Sequence, residues 1–264
     1  MMIVERIWAD NPLRNFHYLV ACSESGEALA VDPLIWQACL QRAQERGWRI
    51  TQILNTHEHH DHTGGNAGLV AATGARVLAH AAAAERIGGV DVGLRAGDVI
   101  RVGRSAELEC LDTPGHTMSH ICALAHAEVP ALFSGDTLFN AGVGNCRNGG
   151  DPEALYRTCQ ALLARLHPDT RLYPGHDYLA NNLAFSLNVE PGNAAATAMQ
   201  ARAAQANGAS APVLTLAEEL CFNAFFRLDV PAVVAGLRQR APALPAQPQP
   251  RDVFLALREL RNHW

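Results

Sequence analysis

The feature that most constrains this chain is a cluster of imidazole and carboxylate side chains directly after a short apolar run. Residues 56–65 read Thr-His-Glu-His-His-Asp-His-Thr-Gly-Gly and follow the apolar run 50–54. In an extended chain, residues two apart point to the same side, so His57 and His59 are expected to face one point. A turn can then bring Asp61 and His62 to a second point nearby. Such side chains are ligands for divalent metals, and their number exceeds the need of one tetrahedral ion, which indicates two metals.

A histidine-rich loop can also bind metal weakly without any function, and this chain contains 12 histidines. Three further polar residues argue instead for a built site, because each comes directly after a glycine that ends a strand-like run: His116, Asp136 and His176. Glycine lets the backbone turn sharply at such a point. If the strands end at one edge, all the candidate ligands converge there.

Seven ligands of this kind suit two divalent ions that share one bridging carboxylate, with solvent between them. Binding to a metal lowers the pKa of water from 15.7 to about 7, so a hydroxide becomes available at neutral pH. The cluster therefore predicts a metal-dependent hydrolase.

Composition limits the alternatives. A chain of 264 residues can form one large domain, or one domain with an appendage. The formal net charge of -5 and the lack of a basic run argue against nucleic acid or an anionic membrane as the main partner. We find no secretory signal and no long apolar run, and expect a cytoplasmic protein. None of the 7 cysteines forms a Cys-x-x-Cys pair, which favours reduced thiols.

The periodicity of apolar residues predicts an α/β fold followed by helices. Strand-like runs cover residues 16–21, 27–31, 50–54, 76–79, 99–102, 107–111, 121–125, 131–133 and 171–173. Helical patterns cover 34–46, 65–72 and 152–166, the last with Asp151 as N-cap and Pro152 at its first position. From residue 178 onwards the patterns are helical, over 181–188, 194–206, 216–224, 231–240 and 253–261. We predict a catalytic domain over residues 1–175 and a helical, substrate-binding domain over 176–264.

The motifs resemble those of the metallo-β-lactamase superfamily, in particular its glyoxalase II branch, the hydroxyacylglutathione hydrolases. The resemblance is carried by Thr-His-x-His-x-Asp-His-x-Gly-Gly at 56–65, Thr-Pro-Gly-His-Thr at 113–117, Gly-Asp-Thr-Leu-Phe at 135–139 and Gly-His at 175–176. It continues through Asn-Asn-Leu at 181–183, Val-Glu-Pro-Gly-Asn at 189–193 and Thr-Leu-Ala-Glu-Glu at 215–219 to the end of the chain.

This resemblance implies a four-layer αββα sandwich with a C-terminal helical domain that helps to bind glutathione. It implies one metal on His57, His59 and His116, a second on Asp61, His62 and His176, and Asp136 as the bridge. Zinc is the expected metal, with iron or manganese as alternatives. The implied reaction is attack of a bridging hydroxide on the thioester carbonyl of S-lactoylglutathione or a related acylglutathione, with Asp61 and Asp136 as catalytic residues. A monomer or a homodimer is expected.

The expected substrate contacts depart from the family pattern in one loop. Asn145 stands where a basic residue is usual, and Arg147 stands where an aromatic residue is usual. Arg147 then supplies the positive charge two positions further along the loop, or the substrate carries a thiol other than glutathione. Tyr178, Arg258 and Arg261 match other glutathione contacts of the family. The arginines at 258 and 261 are three apart and share a helix face suited to a carboxylate.

Other functions remain open at this point. A persulfide dioxygenase of the same superfamily would hold one iron on His57, His116 and Asp136. A hydrolase of other thioesters or of lactones, and a metal sensor without turnover, are further alternatives. The complete second ligand set and the long helical tail favour the acylglutathione hydrolase. We expect His60 and His120 to shape the surroundings of the site, and Cys146 to take no part in catalysis.

Overall fold

A computed structural model describes residues 1–206, 208–241 and 243–264. The chain forms two compact units. The first comprises Met1–Thr113, Ser119–Asp136 and Tyr173–His176, and the second comprises Pro114–Met118, Thr137–Leu172 and Asp177–Trp264. The predicted division of the chain after residue 175 stays a prediction.

The first sheet of the first unit has six strands in sequential order: β1 Met2–Trp8, β2 Phe16–Cys22, β3 Glu27–Val31, β4 Arg49–Asn55, β5 Arg76–His80 and β6 Val92–Leu94. Strands β1, β2 and β3 pair antiparallel, whereas β3, β4, β5 and β6 pair parallel. The parallel pairs need crossovers, and α1 (Trp36–Glu45) and α3 (Asn66–Thr73) supply two of them. These helices cover the sheet from one side with a core that includes Cys39, Ala43 and Leu69.

The second sheet has the order β13-β10-β9-β8-β7. Its strands are β7 Val99–Val102, β8 Ala106–Asp112, β9 Ile121–Ala125, β10 Ala131–Gly135 and β13 Arg171–Pro174. The last two residues of β13 belong to the first unit. Tyr18 of the first sheet packs edge-on against Phe133 and Tyr173 of the second, and its hydroxyl donates to the Pro174 carbonyl at 2.6 Å. The two sheets therefore face each other across an apolar and aromatic core.

All nine predicted strands are present, with shifts of one or two residues at their ends. Two strands of the first sheet escaped prediction. β1 is partly exposed along most of its length and carries Glu5 and Arg6, as an edge strand can, so its alternation is weak. β6 has only three residues, too few for a periodic signal. Short helices α2 (His60–Thr63) and α4 (Ala84–Ile87) complete the first unit.

The second unit is mainly helical. It contains the hairpin of β11 (Leu138–Phe139) and β12 (Gly142–Val143), followed by α5 Pro152–Arg165, α6 Leu179–Val189, α7 Ala194–Ala203, α8 Leu216–Phe222, α9 Pro231–Arg238 and α10 Pro250–Asn262. Asp151 caps α5 as predicted, since its side chain accepts the Ala154 amide. The five predicted C-terminal helices are confirmed, and the mixed α/β fold with a helical C-terminal region is therefore the observed fold.

Within the described ranges, each helix is too short or too polar to cross a membrane.

Candidate metal centre

The predicted ligands of the first unit are carried by turns that follow strands. At the end of β4, the Asn55 side chain donates to the His62 carbonyl at 3.0 Å and to the Asn66 side chain at 3.2 Å, which fixes the turn that contains α2. Asp136 follows β10, and His176 follows β13. Both strands belong to the second sheet, whereas β4 belongs to the first. Turns that follow strands therefore bring ligands from both sheets to one place.

Glycine is required at one of these turns. A Cβ atom on Gly175 would lie 2.4 Å from Oδ1 of Asp136 and 2.8 Å from the His62 ring, closer than real Cβ contacts. The Gly175 amide donates to the Gly135 carbonyl at 2.8 Å, which ties the two ligand-bearing turns together. The glycine before His176 thus lets the backbone approach the carboxylate closely.

Two imidazoles and two carboxylates converge at the second predicted metal position. Nε2 of His62 lies 3.2 Å from Nε2 of His176 and 3.4 Å from the carboxylates of Asp61 and Asp136. Nε2 of His176 lies 3.4 Å from the Asp61 carboxylate and 3.3 Å from that of Asp136. One donor atom from each of Asp61, His62 and His176 lies within 4.8 Å of the others.

The Nδ1 atom of each of these two rings forms a hydrogen bond on the side away from the predicted metal. Nδ1 of His62 bonds to the Asp32 carboxylate at 2.9 Å, and Nδ1 of His176 donates to the Leu13 carbonyl at 2.7 Å. These acceptors place the proton of each neutral ring on Nδ1, so its Nε2 lone pair points at the convergence. The two Nε2 lone pairs and the carboxylate oxygens then face one another and repel. Only a cation or a proton between them makes this arrangement favourable. The side chains fit a divalent metal.

The charge of the centre leads to the same conclusion. Burial disfavours the charged form of His62, but the surrounding carboxylates, led by Asp136 and Asp32, raise its pKa well above the usual value. Burial also opposes ionisation of Asp61, yet its contacts with His62 and Asn15 keep its pKa below the usual range. Asp61 therefore stays ionised and attracts positive charge to this position.

The first predicted metal position has two histidines in this unit. Nε2 of His57 and Nδ1 of His59 lie 3.1 Å apart. Nδ1 of His57 contacts the Thr56 hydroxyl at 3.0 Å, and that hydroxyl donates to Asp32 at 2.7 Å. Because the Thr56 hydroxyl donates its only proton to Asp32, it accepts from Nδ1 of His57, which makes Nε2 the acceptor nitrogen of the neutral His57 ring. Donor atoms of His57, His62 and Asp136 also lie within 4.8 Å of one another.

Sequence reasoning missed Asp32. This buried residue, with φ at 49°, directly follows β3 and accepts the Thr56 amide, the Thr56 hydroxyl and Nδ1 of His62. It thereby orients ligands of both predicted metals. Its sequence signal was the same as that of the ligands, namely a polar residue immediately after an apolar strand. Asn15, which donates to the Asp61 carboxylate at 3.1 Å, gave no comparable signal.

His120 has a positioning role, as expected. Its Nδ1 lies 2.8 Å from the Thr113 hydroxyl, and its Nε2 accepts the backbone amide of Asp136 at 3.1 Å. Both ring nitrogens are thus used in hydrogen bonds. His120 therefore fixes the backbone from which the Asp136 carboxylate projects.

His116 belongs to the second unit. It is buried, and its Nδ1 donates to the Asn145 carbonyl at 2.6 Å, which makes Nε2 the acceptor nitrogen of the neutral ring. Cys146 directly follows Asn145, and burial raises the pKa of its thiol to about 11. A neutral thiol is a poor nucleophile, as expected for a residue without a catalytic part.

The predicted substrate-binding residues line one cavity of the second unit. Its volume is about 220 Å³, and its lining includes Asn145, Arg147, Tyr178, Arg258 and Arg261. Its other lining residues are Phe139, Val143, Asn182, Asn262 and Trp264. The described lining thus holds three guanidinium groups and no carboxylate side chain, which favours an anionic ligand.

The three arginines are tethered to different degrees. Arg258 is only 5% exposed, and its Nη1 donates to the carbonyls of Val143 and Gly144, each at 3.0 Å. Burial, followed by the nearby Arg261, lowers the pKa of Arg258 to about 10, so the group stays charged at neutral pH. Arg261 donates one bond, to Asn182 at 3.1 Å, and Arg147 donates to the Asn262 carbonyl. Arg261 and Arg147 therefore retain more donors for a ligand than Arg258.

Two family models together match residues 18–264 of the chain. Residues 18–176 match the metallo-beta-lactamase superfamily, and residues 177–264 match the hydroxyacylglutathione hydrolase C-terminus. A hydroxyacylglutathione hydrolase of Polaromonas sp. is 60% identical over 100% of both chains. A hydroxyacylglutathione hydrolase of Nitrosococcus oceani is 55% identical, also over 100% of both chains.

A solved structure has a similar fold. The crystal structure of ETHE1 from Myxococcus xanthus superposes with a TM-score of 0.66 at 26% identity, and the match covers 98% of each chain. Motifs, fold and full-length identity agree. The chain therefore belongs to the metallo-β-lactamase superfamily, and within it to the glyoxalase II branch of hydroxyacylglutathione hydrolases.

Proposed function

We propose that this protein is a dinuclear metal-dependent hydrolase that cleaves acylglutathione thioesters, with S-lactoylglutathione as the substrate. The observation that carries the proposal is the convergence of His62, His176, Asp61 and Asp136, whose ring nitrogens and carboxylates lie 3.2 to 3.4 Å apart. The full-length relatives named hydroxyacylglutathione hydrolase support the same activity.

Seven residues hold the two metals in this proposal. His57, His59 and His116 would hold the first, Asp61, His62 and His176 would hold the second, and Asp136 would be shared by both. When bound, the metals supply a hydroxide at neutral pH and polarise the thioester carbonyl. Asp61 and Asp136 are the catalytic carboxylates in this proposal, because each would hold metal at the reacting centre.

The chain's own groups prepare the site. Asp32 keeps the Nδ1 proton of His62 in place, and Leu13 does the same for His176, so both rings present Nε2. The arginine-lined cavity of the second unit takes the carboxylates of the glutathione peptide, with Tyr178, Arg147, Arg258 and Arg261 as substrate-binding residues. The leaving thiol has a pKa near 8.5, so the reaction needs no strong general acid.

The main alternative is an oxygenase that binds one iron. It would use only His57, His116 and Asp136, and would leave Asp61, His62 and His176 without a purpose. The packing of those three side chains around one point, supported by Asp32 and Asn15, favours the dinuclear hydrolase. Hydrolysis of another thioester or of a lactone is the second alternative, because Asn145 and Arg147 differ from the family pattern.

Zinc is the proposed metal, because imidazole and carboxylate sites bind it well, although iron and manganese suit the same ligands. Three further points stay predictions from the sequence. They are a monomeric or homodimeric state, a cytoplasmic location, and the division into a catalytic and a substrate-binding domain.

One paired experiment tests the proposal. The purified protein is analysed for metal content and then given S-lactoylglutathione while free thiol is followed, and separately glutathione persulfide while oxygen is followed. Two metals per chain with thiol release is the expected result. One iron per chain with oxygen consumption would overturn the hydrolase in favour of the oxygenase.

A further inference from the structure

The loop between Phe139 and Cys146 is bound along its backbone by buried side chains of the second unit. Asn182 donates to the Asn140 carbonyl at 2.9 Å, and both carboxylate oxygens of Glu219 accept the Ala141 amide, at 3.0 and 2.8 Å. The loop ends in Asn145, whose carbonyl accepts Nδ1 of His116 at 2.6 Å.

Further bonds continue along the same loop. Asn223 donates to the Gly142 carbonyl at 3.4 Å and to Glu219 at 2.9 Å. Arg258 donates to the carbonyls of Val143 and Gly144. Five consecutive residues of the loop thus have a backbone group held by a buried side chain, so the position of the Asn145 carbonyl is set from the interior.

Ala141 combines the bond to Glu219 with an unusual backbone conformation. Ala141 has φ at 57°, in the left-handed region that residues other than glycine rarely adopt. In that conformation its amide points at the Glu219 carboxylate. Glu219 is completely buried, and burial raises its pKa to about 8 against the opposing bonds from Asn223 and Ala141. A carboxyl group is costly at such a position, and an apolar side chain would fill the space without that cost.

We infer that Glu219 is a positioning residue for His116. It holds the Ala141 amide, and through the loop it places the Asn145 carbonyl that keeps the His116 proton on Nδ1 and its lone pair on Nε2. The residue lies in the motif at 215–219, for which the metal centre and the substrate cavity give no other use. The inference rests on the proposed function in one respect, that His116 is a metal ligand.

The first test is the protonation of His116 in the full-length, metal-free protein. Nitrogen NMR of its imidazole distinguishes the two neutral tautomers at a pH where the ring is uncharged. We expect the Nδ1–H tautomer in the wild type and a mixture in Glu219→Leu. Glu219→Gln keeps an oxygen that can accept the Ala141 amide, so it should resemble the wild type. Glu218→Gln is the control, because Glu218 caps the same helix through Thr215 and does not bond to the loop.

The second test is zinc affinity, measured by competition with a chromophoric chelator. Loss of a group that orients a ligand typically weakens metal binding about 10- to 100-fold, and Glu219→Leu should lose this much for one of its two ions. If that variant does not fold, Glu219→Asp replaces it, since the shorter side chain withdraws its oxygens from Ala141 and should show the same loss.

A folded Glu219→Leu or Glu219→Asp variant with the wild-type tautomer and wild-type zinc affinity would overturn the inference. An equal effect of Glu218→Gln would overturn it too, because general weakening of the helix would then explain the loss. Failure of the proposed function shows in a different measurement, the absence of thiol release by the zinc-loaded wild type.

Discussion

The Nε2 atoms of His62 and His176 face each other at 3.2 Å, while the Nδ1 atom of each ring is bonded to an acceptor behind it. Neutral imidazoles so arranged direct two lone pairs at one point, between the carboxylates of Asp61 and Asp136. This geometry is unfavourable without a positive charge and favourable with one.

Replacing Asp32 with alanine should weaken metal binding although Asp32 is not itself a proposed ligand. The Nδ1 proton of His62 loses its acceptor. The Thr56 hydroxyl loses the carboxylate to which it donates and can donate to Nδ1 of His57 instead, so both rings can turn or change tautomer. Loss of such a partner typically costs about 10- to 100-fold in metal affinity. Zinc affinity is measured by chelator competition, with the exposed Asp169→Ala as the control. Equal affinities in the two variants would contradict the role given to Asp32.

Replacing Gly175 with alanine should disrupt the centre sterically. The new Cβ would lie 2.4 Å from Oδ1 of Asp136, so the two ligand-bearing turns must separate. Overpacking of this kind costs about 1–3 kcal/mol, which urea unfolding can measure together with metal content. Gly192→Ala is the matched control, because a Cβ there meets nothing within 4 Å. The close approach at Gly175 would be refuted by a variant with unchanged stability and full metal content.

The stability of the metal-free protein should depend on pH through His62. Its folded-state pKa is raised above the unfolded value of about 6.5, so its stabilising contribution is fully present below that pH and is lost as the pH rises through the folded-state pKa. Thermal unfolding of the metal-free wild type and of His62→Gln, measured across this range, should show a decline in the wild type that the variant lacks. Parallel curves would show that His62 does not carry the raised pKa.

Metal binding should release protons for the same reason. His62 carries a proton at neutral pH in the metal-free protein, and the metal must displace it from Nε2. Zinc titrations in buffers of different ionisation enthalpy should therefore report proton release at neutral pH, and affinity should fall as the solution becomes more acidic. Replacement of His62 with glutamine should reduce the number of protons released. An unchanged number would contradict protonation of His62.

Replacing Arg261 with methionine should raise KM for S-lactoylglutathione with little change in kcat. Arg261 lines the cavity and donates a single described bond within the protein, so it has donors free for a substrate carboxylate. A hydrogen bond to a charged group is worth about 1.5–3 kcal/mol, which corresponds to at least about a tenfold increase in KM. Arg202→Met on the exposed surface of α7 is the control. Unchanged KM in Arg147, Arg258 and Arg261 variants would refute the assignment of glutathione.

The sequence predicted most strands and helices because apolar periodicity reports burial. Strand β4 and helix α5 were found this way, whereas edge strand β1 was missed because its residues are only partly buried. The candidate ligands could be predicted because each follows a strand end, a local property of the sequence.

Long-range partners could not be predicted, since they depend on how distant segments meet. Asp32 is 30 residues from His62, and Glu219 is 78 residues from Ala141. The sequence around Asp32 or Glu219 does not indicate which distant residue its carboxylate contacts. The burial of Arg258 and its bonds to Val143 and Gly144 likewise depend on packing that the helical pattern does not reveal.

The most direct test of the dinuclear hydrolase is a titration of the metal-free protein with zinc while thiol release from S-lactoylglutathione is followed. The rate should rise until two zinc ions per chain have bound and then stay constant, and His176→Ala should lose the contribution of the second ion. Full activity at one zinc per chain, or no thiol release at two, would contradict the account.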